Sequence, residues 1–376
     1  MRTRIVVGTA ILALAVTACS SGGGERLGTG EDYTVLGALA ELPGRPSPGL
    51  MIQTADLTGA TEVAGLERPD TAEMPAMHEW LSPLLGNTGR ANPEPGPVFV
   101  PIAELFNIQQ LNNHAEFEEA LGWSLVDVDS FTEMTLLPRQ QLTVISGDFD
   151  DDAVLAGLPE VADGVVTYGE GEDFSHNIEE TSVVSRLGRP LRLAHQDGRV
   201  AASPSTNTVQ LWFAGAEETL ADDEPLAAVA TALDEQDVLS AVLLSGGNFQ
   251  GAQMLGQMVR SEHLLEELED QLTDLPSVGF GTVGIGWAVQ DEQPVVVAAY
   301  HLGTESAAEE AVPQFEAMYR DGRIVMRDQP LGDYIETLSV ETSGAVLVVR
   351  TRSTDQARPT FLVDMLYSRD VPFAHQ

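Results

Sequence analysis

Short apolar runs of period two predict most of the elements along this chain. Residues 164–168, 190–195 and 199–202 read as strands, the last two joined by a hairpin turn at Gln196-Asp197-Gly198. Residues 238–245 read as another strand. Residues 282–289 and 294–300 predict a hairpin turning at Asp291-Glu292-Gln293, and residues 335–340 and 345–351 predict another turning at Thr342-Ser343-Gly344. Between these runs the period lengthens. Leu226, Val229, Ala230 and Leu233 share one helical face, behind a first turn rich in acids and holding Pro225. Thr304 predicts the cap of a helix reaching about Tyr319, with Glu305, Glu309 and Glu310 near its positive end and Pro313 expected to kink or split it. Residues 359–367 predict a short final helix. Residues 71–101 carry prolines at 75, 83, 93, 95, 97 and 101 and predict a lid or a long loop.

Hairpins interleaved with helices predict an α+β fold rather than a doubly wound parallel sheet. The expected form is two related domains of antiparallel hairpins with helices packed on one face, covering residues 33–237 and 238–376. A weak repeat supports the relation. Residues 52–66 align without a gap on residues 144–158, sharing the aspartates Asp56 and Asp148 and a closing Ala-Gly-Leu. A looser copy follows at residues 244–248, with Asn248 in the aspartate's place and residues 253–258 as its helix. Each copy reads as a strand, then Asp or Asn, then a helix whose free N–H groups that side chain can accept.

The first residues give an address. Arg2 and Arg4 precede an apolar stretch from Ile5 to Val16, which leads into Val16-Thr17-Ala18-Cys19, the only cysteine of the chain. The stretch is shorter than the roughly 17–25 residues of a spanning helix. A charged start, a short apolar core and small residues at a cleavage point are the parts of an export signal. The arrangement resembles the lipobox of a bacterial, actinobacterial-type lipoprotein precursor. That resemblance implies cleavage before Cys19, a diacylglyceryl group on its sulfur, and a location on the extracytoplasmic face of the cell membrane. Residues 1–18 are then the signal peptide and 19–32, rich in Gly and Ser, a flexible tether. Such a coil spans about 20 Å. Ordinary secretion is the competing reading, because Val16-Thr17-Ala18 also fits a small-x-small cleavage site. The remainder resembles the α+β ectodomains of actinobacterial cell-envelope lipoproteins, a resemblance that implies no reaction and no site residues.

Composition narrows the function classes. The chain has 376 residues, 19 basic against 58 acidic, a net charge of −39, and every base is arginine. Loss of Arg2 and Arg4 on cleavage deepens that charge by two. Such a field excludes nucleic acid as a partner, which needs basic side chains to displace counterions, and favours cations or basic protein surfaces. With no cysteine after Cys19, the fold has neither a disulfide nor a thiolate metal site.

Candidate chemistry is sparse. Asp148, Asp150 and Asp152 occupy positions 1, 3 and 5 of a calcium-loop pattern, but Ala153 and Pro159 stand where Gly and Glu belong. They remain weak divalent-cation candidates beside the simpler role of capping a helix at 153–158. Gly279, Gly281 and Gly284 match GxGxxG but run into a strand, where glycine marks a bulge or close backbone approach. There is no HExxH, GxSxG or phosphate loop, and the seven histidines are scattered. No cofactor and no catalytic residue is expected. The sequence points first to a non-catalytic binding or envelope module with a protein partner. An extracellular hydrolase with dispersed carboxylates, or a solute-binding lipoprotein closing at residue 237, are the alternatives.

Overall fold

The structure is a computed structural model and describes residues 26–86, 95–106, 113–136, 140–185, 187–251 and 275–376. Its centre is β1 (Leu50–Asp56), which pairs antiparallel with β2 (Val128–Leu136) on one side and with β8 (Ser240–Ser245) on the other. Beyond β2 lie β3 (Gln140–Gly147), β7 (Arg199–Ser203), β6 (Leu191–Gln196), β5 (Val165–Tyr168) and β4 (Glu160–Ala162). Beyond β8 lie β9 (Thr282–Gln290), β10 (Gln293–His301), β14 (Val346–Ser353) and β13 (Ile335–Ser343). These make one antiparallel sheet of 12 strands among the described residues. A separate pair, β11 (Arg323–Ile324) and β12 (Gln329–Pro330), stands apart. The fold is thus α+β, built on hairpins. The expected domain boundary at residue 237 falls in the turn before β8, and the sheet spans both halves because β1 and β8 bond directly from Leu50↔Ser245 to Ala55↔Ser240.

Helices cover both faces of the sheet, which corrects the expectation of one covered face. On one side are α2 (Leu57–Val63), α3 (Met74–Leu84), α4 (His114–Leu121), α7 (Glu305–Asp321) and α8 (Phe361–Ser368), sharing a core with Val242, Ala298 and Leu347. On the other are α1 (Val35–Ala40), α5 (Thr206–Phe213) and α6 (Glu224–Asp234), sharing a core with Leu243, Val297 and Val348. The physical signal lies in the central strands. Residues 295–300 of β10 run apolar without polar alternation and are all buried, as a strand covered on both sides must be.

The glycines of β9 are what lets α6 lie close. A Cβ on Gly284 would come within 2.7 Å of Val229 Cγ1, and one on Gly286 within 2.6 Å of Val238 Cγ1. The last glycine of the GxGxxG pattern is therefore a packing feature of a strand, and Gly279 and Gly281 lie just before that strand. Gly284→Ala is expected to cost about 1–3 kcal/mol through overpacking, measured by urea unfolding. Unchanged stability would mean that α6 shifts freely away from the sheet.

Three further expectations are revised. Residues 71–101 contain α3, with Pro75 in its first turn, where no N–H partner is lost, and Pro83 in its last. Met77, Trp80, Leu81 and Leu84 supply the apolar face that holds this helix. Pro313 does not split α7, because Ala308, Ala311, Phe315, Met318 and Tyr319 anchor both of its halves. The end of the expected tether is packed: Leu27 is buried, Thr29 Oγ1 donates to Asp56 at 2.9 Å, and the Gly30 N–H donates to the same carboxylate at 2.9 Å. A buried Asp56 needs those donors, and they draw residues 27–30 onto the fold.

Candidate functional site

The most distinctive local environment lies where residues 95–106 cross the face of β2. This strap is fastened by the Gly96 N–H to Pro83 O at 2.9 Å, the Val100 N–H to Leu84 O at 2.7 Å, and Ser240 Oγ to Phe99 O at 2.5 Å. Phe99 also packs edge-on against Trp287, with ring centroids 5.0 Å apart. Val100, Pro101, Ile102 and Phe106 of the strap, with Leu57, Leu81 and Phe131 opposite, enclose an apolar cavity of about 20 Å³. Apolar walls of this size have nothing to hold a bound water.

Glu133 lies two residues along β2 from Phe131, so its side chain leaves the same face of the strand. It is 3% exposed. Its Oε2 accepts from Thr143 Oγ1 of β3 at 2.6 Å. Both carboxylate oxygens accept from the strap's Glu104 N–H, at 3.1 and 3.0 Å. Burial pushes the Glu133 carboxyl up to about 7. The Thr143 hydroxyl and the Glu104 N–H oppose that rise without cancelling it, while the Glu104 carboxylate reinforces it.

The other buried charged groups close on structural partners. Asp56, at the start of α2, is raised by burial against the opposing donors of Gly59, Thr29 and Gly30. Arg192 reaches Asp173 at 2.9 Å, Thr206 at 3.1 Å, the Gly171 carbonyl at 2.7 Å and the Thr167 hydroxyl at 2.5 Å. Glu41 contacts Arg199 and accepts from Trp212 Nε1 at 2.9 Å. Asp370 accepts three backbone N–H groups, from Val325, Met326 and Val371. Each fastens one segment to another.

The expected site residues fare differently. Cys19 lies outside the described residues. Asp148, Asp150 and Asp152 are all exposed and do not converge; Asp150 Oδ1 accepts the Asp152 N–H at 3.0 Å in a tight turn. Residues 151–157 are a turn rather than the expected helix, with Leu155 at φ 58 and Gly157 at φ 76 breaking any helical path. Among the described residues, no group of three or more His, Cys, Asp or Glu could hold a metal ion. Glu133 was missed from the sequence. Its signal was a single acid inside the strand run Phe131-Thr132-Glu133-Met134-Thr135.

No family model matches the chain, and no curated protein sequence matches it. Among solved structures, one titled "Structure of crystal form I of TP0453" is similar over 88% of this chain and 97% of its own, at 8% identity and a TM-score of 0.35. A likeness that loose leaves the fold to be described from its own strands. No described helix is long and apolar enough to cross a membrane.

Proposed function

We propose that this chain is a lipid-anchored extracytoplasmic protein, held to the cell membrane through Cys19, that acts as a non-catalytic binding module for another envelope protein. The observation supporting a non-catalytic role is the closure of its buried charged groups on structural partners, at Glu41–Arg199–Trp212, Arg192–Asp173 and Asp370. A hydrolytic site needs an acid, a base or a nucleophile converging on open space. The cavity under the strap is too small and too apolar for that.

We further propose that residues 33–237 and 238–376 are related domains arising by duplication. The strand order β1-β2-β3-β7-β6 on one side of the sheet is repeated as β8-β9-β10-β14-β13 on the other, mirrored about the β1–β8 pair. On this reading the strand equivalent to β1 is β8, so the looser copy at residues 244–248, whose expected helix at 253–258 lies outside the described residues, is the counterpart of the one at Asp56. The copy at Asp148 is a local likeness.

Anchoring and binding are tested together by growing cells with a labelled fatty acid and expressing the full-length chain or its Cys19→Ala variant. Label on the wild type alone, with a crosslinked partner that is lost in the variant, is the expected result. Equal labelling, or none, overturns the anchor. A labelled protein that crosslinks to nothing overturns the binding role.

A further inference from the structure

The strap over the apolar cavity is fastened unevenly. Its first half is held by α3 and Ser240 through bonds that carry no charge. Its second half is held by the packing of Phe106 on Trp123 and Phe131, at centroid distances of 6.1 Å each, and by the buried carboxylate of Glu133 on the Glu104 N–H. We propose that Glu133 is a proton-operated latch, which holds the strap closed over the cavity when neutral and releases its Glu104 end when ionised. This inference does not depend on the lipid anchor or on the binding role.

The groups around Glu133 fix the direction of the effect. The strap presents the Glu104 carboxylate, which repels a second negative charge. From β1 comes Gln53, directly opposite in register, and from β3 come Thr143 and Gln141, none of them charged. Among the described residues, no cation therefore offsets an ionised Glu133 in the closed strap. A neutral Glu133 can accept the Glu104 N–H on one oxygen and donate its own proton to Thr143 Oγ1 from the other. An ionised Glu133 keeps its neutral donors, the Glu104 N–H, Thr143 and Gln141, but stays cut off from water unless the strap lifts. Phe106 packing works against lifting, so the open form is a minor population whose size the proton controls.

The size of the effect follows from the same geometry. A carboxyl that titrates at about 7 when closed and near its ordinary 4.5 when hydrated couples opening to ionisation. The coupling changes the open population by roughly thirtyfold between pH 5.5 and 8.5.

Amide hydrogen exchange of the full-length protein, from pH 5.5 to 8.5 and corrected for intrinsic exchange, reads the latch at the Glu104 N–H. The Val144 N–H in the buried strand β3 reports whole-molecule unfolding, which hydrates Glu133 too and so carries the same pH dependence. In the wild type, Glu104 opening should rise roughly thirtyfold over that range while staying well above Val144 opening, and in Glu133→Gln it should stay level. An equal rise in both proteins, or Glu104 opening no more often than Val144, overturns the latch. Should Glu133→Gln fail to fold, the wild type still decides. A Glu133 carboxyl ¹³C titration sharing its midpoint with Glu104 opening supports the proposal, and opening that is flat across that titration overturns it.

Discussion

Replacing Glu133 by glutamine stabilises this protein above neutral pH and changes little below about pH 4.5. The folded-state carboxyl titrates near 7 and the ordinary value is 4.5, so the folded state holds a proton that the unfolded chain has already released between those limits. Wild-type stability from this group is therefore complete below the unfolded value and falls as pH rises towards 7. Above 7 the loss is full, at roughly 3 kcal/mol for a shift of this size. Glutamine has no proton to lose, can accept the Glu104 N–H through its carbonyl, and can donate to Thr143 through its amide. Urea unfolding of both proteins at pH 4.5, 6 and 8 should give curves that diverge steadily with pH. Parallel curves across that range would mean that the carboxylate is well solvated in the folded protein.

Removing Arg199 should be among the most damaging single substitutions. Glu41 and Arg199 are 6% and 5% exposed, and their ion pair joins the end of α1 to the start of β7, residues far apart in the chain. Arg199→Met leaves the Glu41 carboxylate buried with only Trp212 Nε1 as a hydrogen-bond donor. Asp197, on the exposed side of Arg199, supplies no positive charge. Breaking a buried pair from one side costs about 3–5 kcal/mol, because the surviving charge keeps its desolvation penalty. The double variant Arg199→Met/Glu41→Gln removes that charge while leaving Trp212 an amide oxygen to bond. It should recover at least half of the loss, a coupling that a double-mutant cycle in urea measures directly. A single-variant loss under about 1 kcal/mol would show that water reaches Glu41.

Both predictions rest on residues that look unremarkable in the sequence. Glu133 is one acid among 58. Glu41 follows a run of small apolar residues with nothing nearby to suggest a partner 158 positions away. The three clustered aspartates after β3 looked more like a site, and they form an exposed turn. Acid density marks solvated surface, whereas an isolated acid in an apolar strand marks a buried one.

Local order was determined by the sequence alone. The hairpin turns at Asp197-Gly198 and Ser343-Gly344, the face of α6, and the Thr304 cap of α7 all stand where period and turn chemistry place them. These depend on neighbours within a few positions, and one stretch of chain carries their information. The tertiary structure alone decided that β1 bonds to β8 across some 190 residues, making one sheet of the two halves. It also decided that helices cover both faces, and that Glu133 and Glu41 are sealed from water. Those outcomes depend on which surfaces are left to bury once the elements exist, a competition among distant segments that no local pattern records.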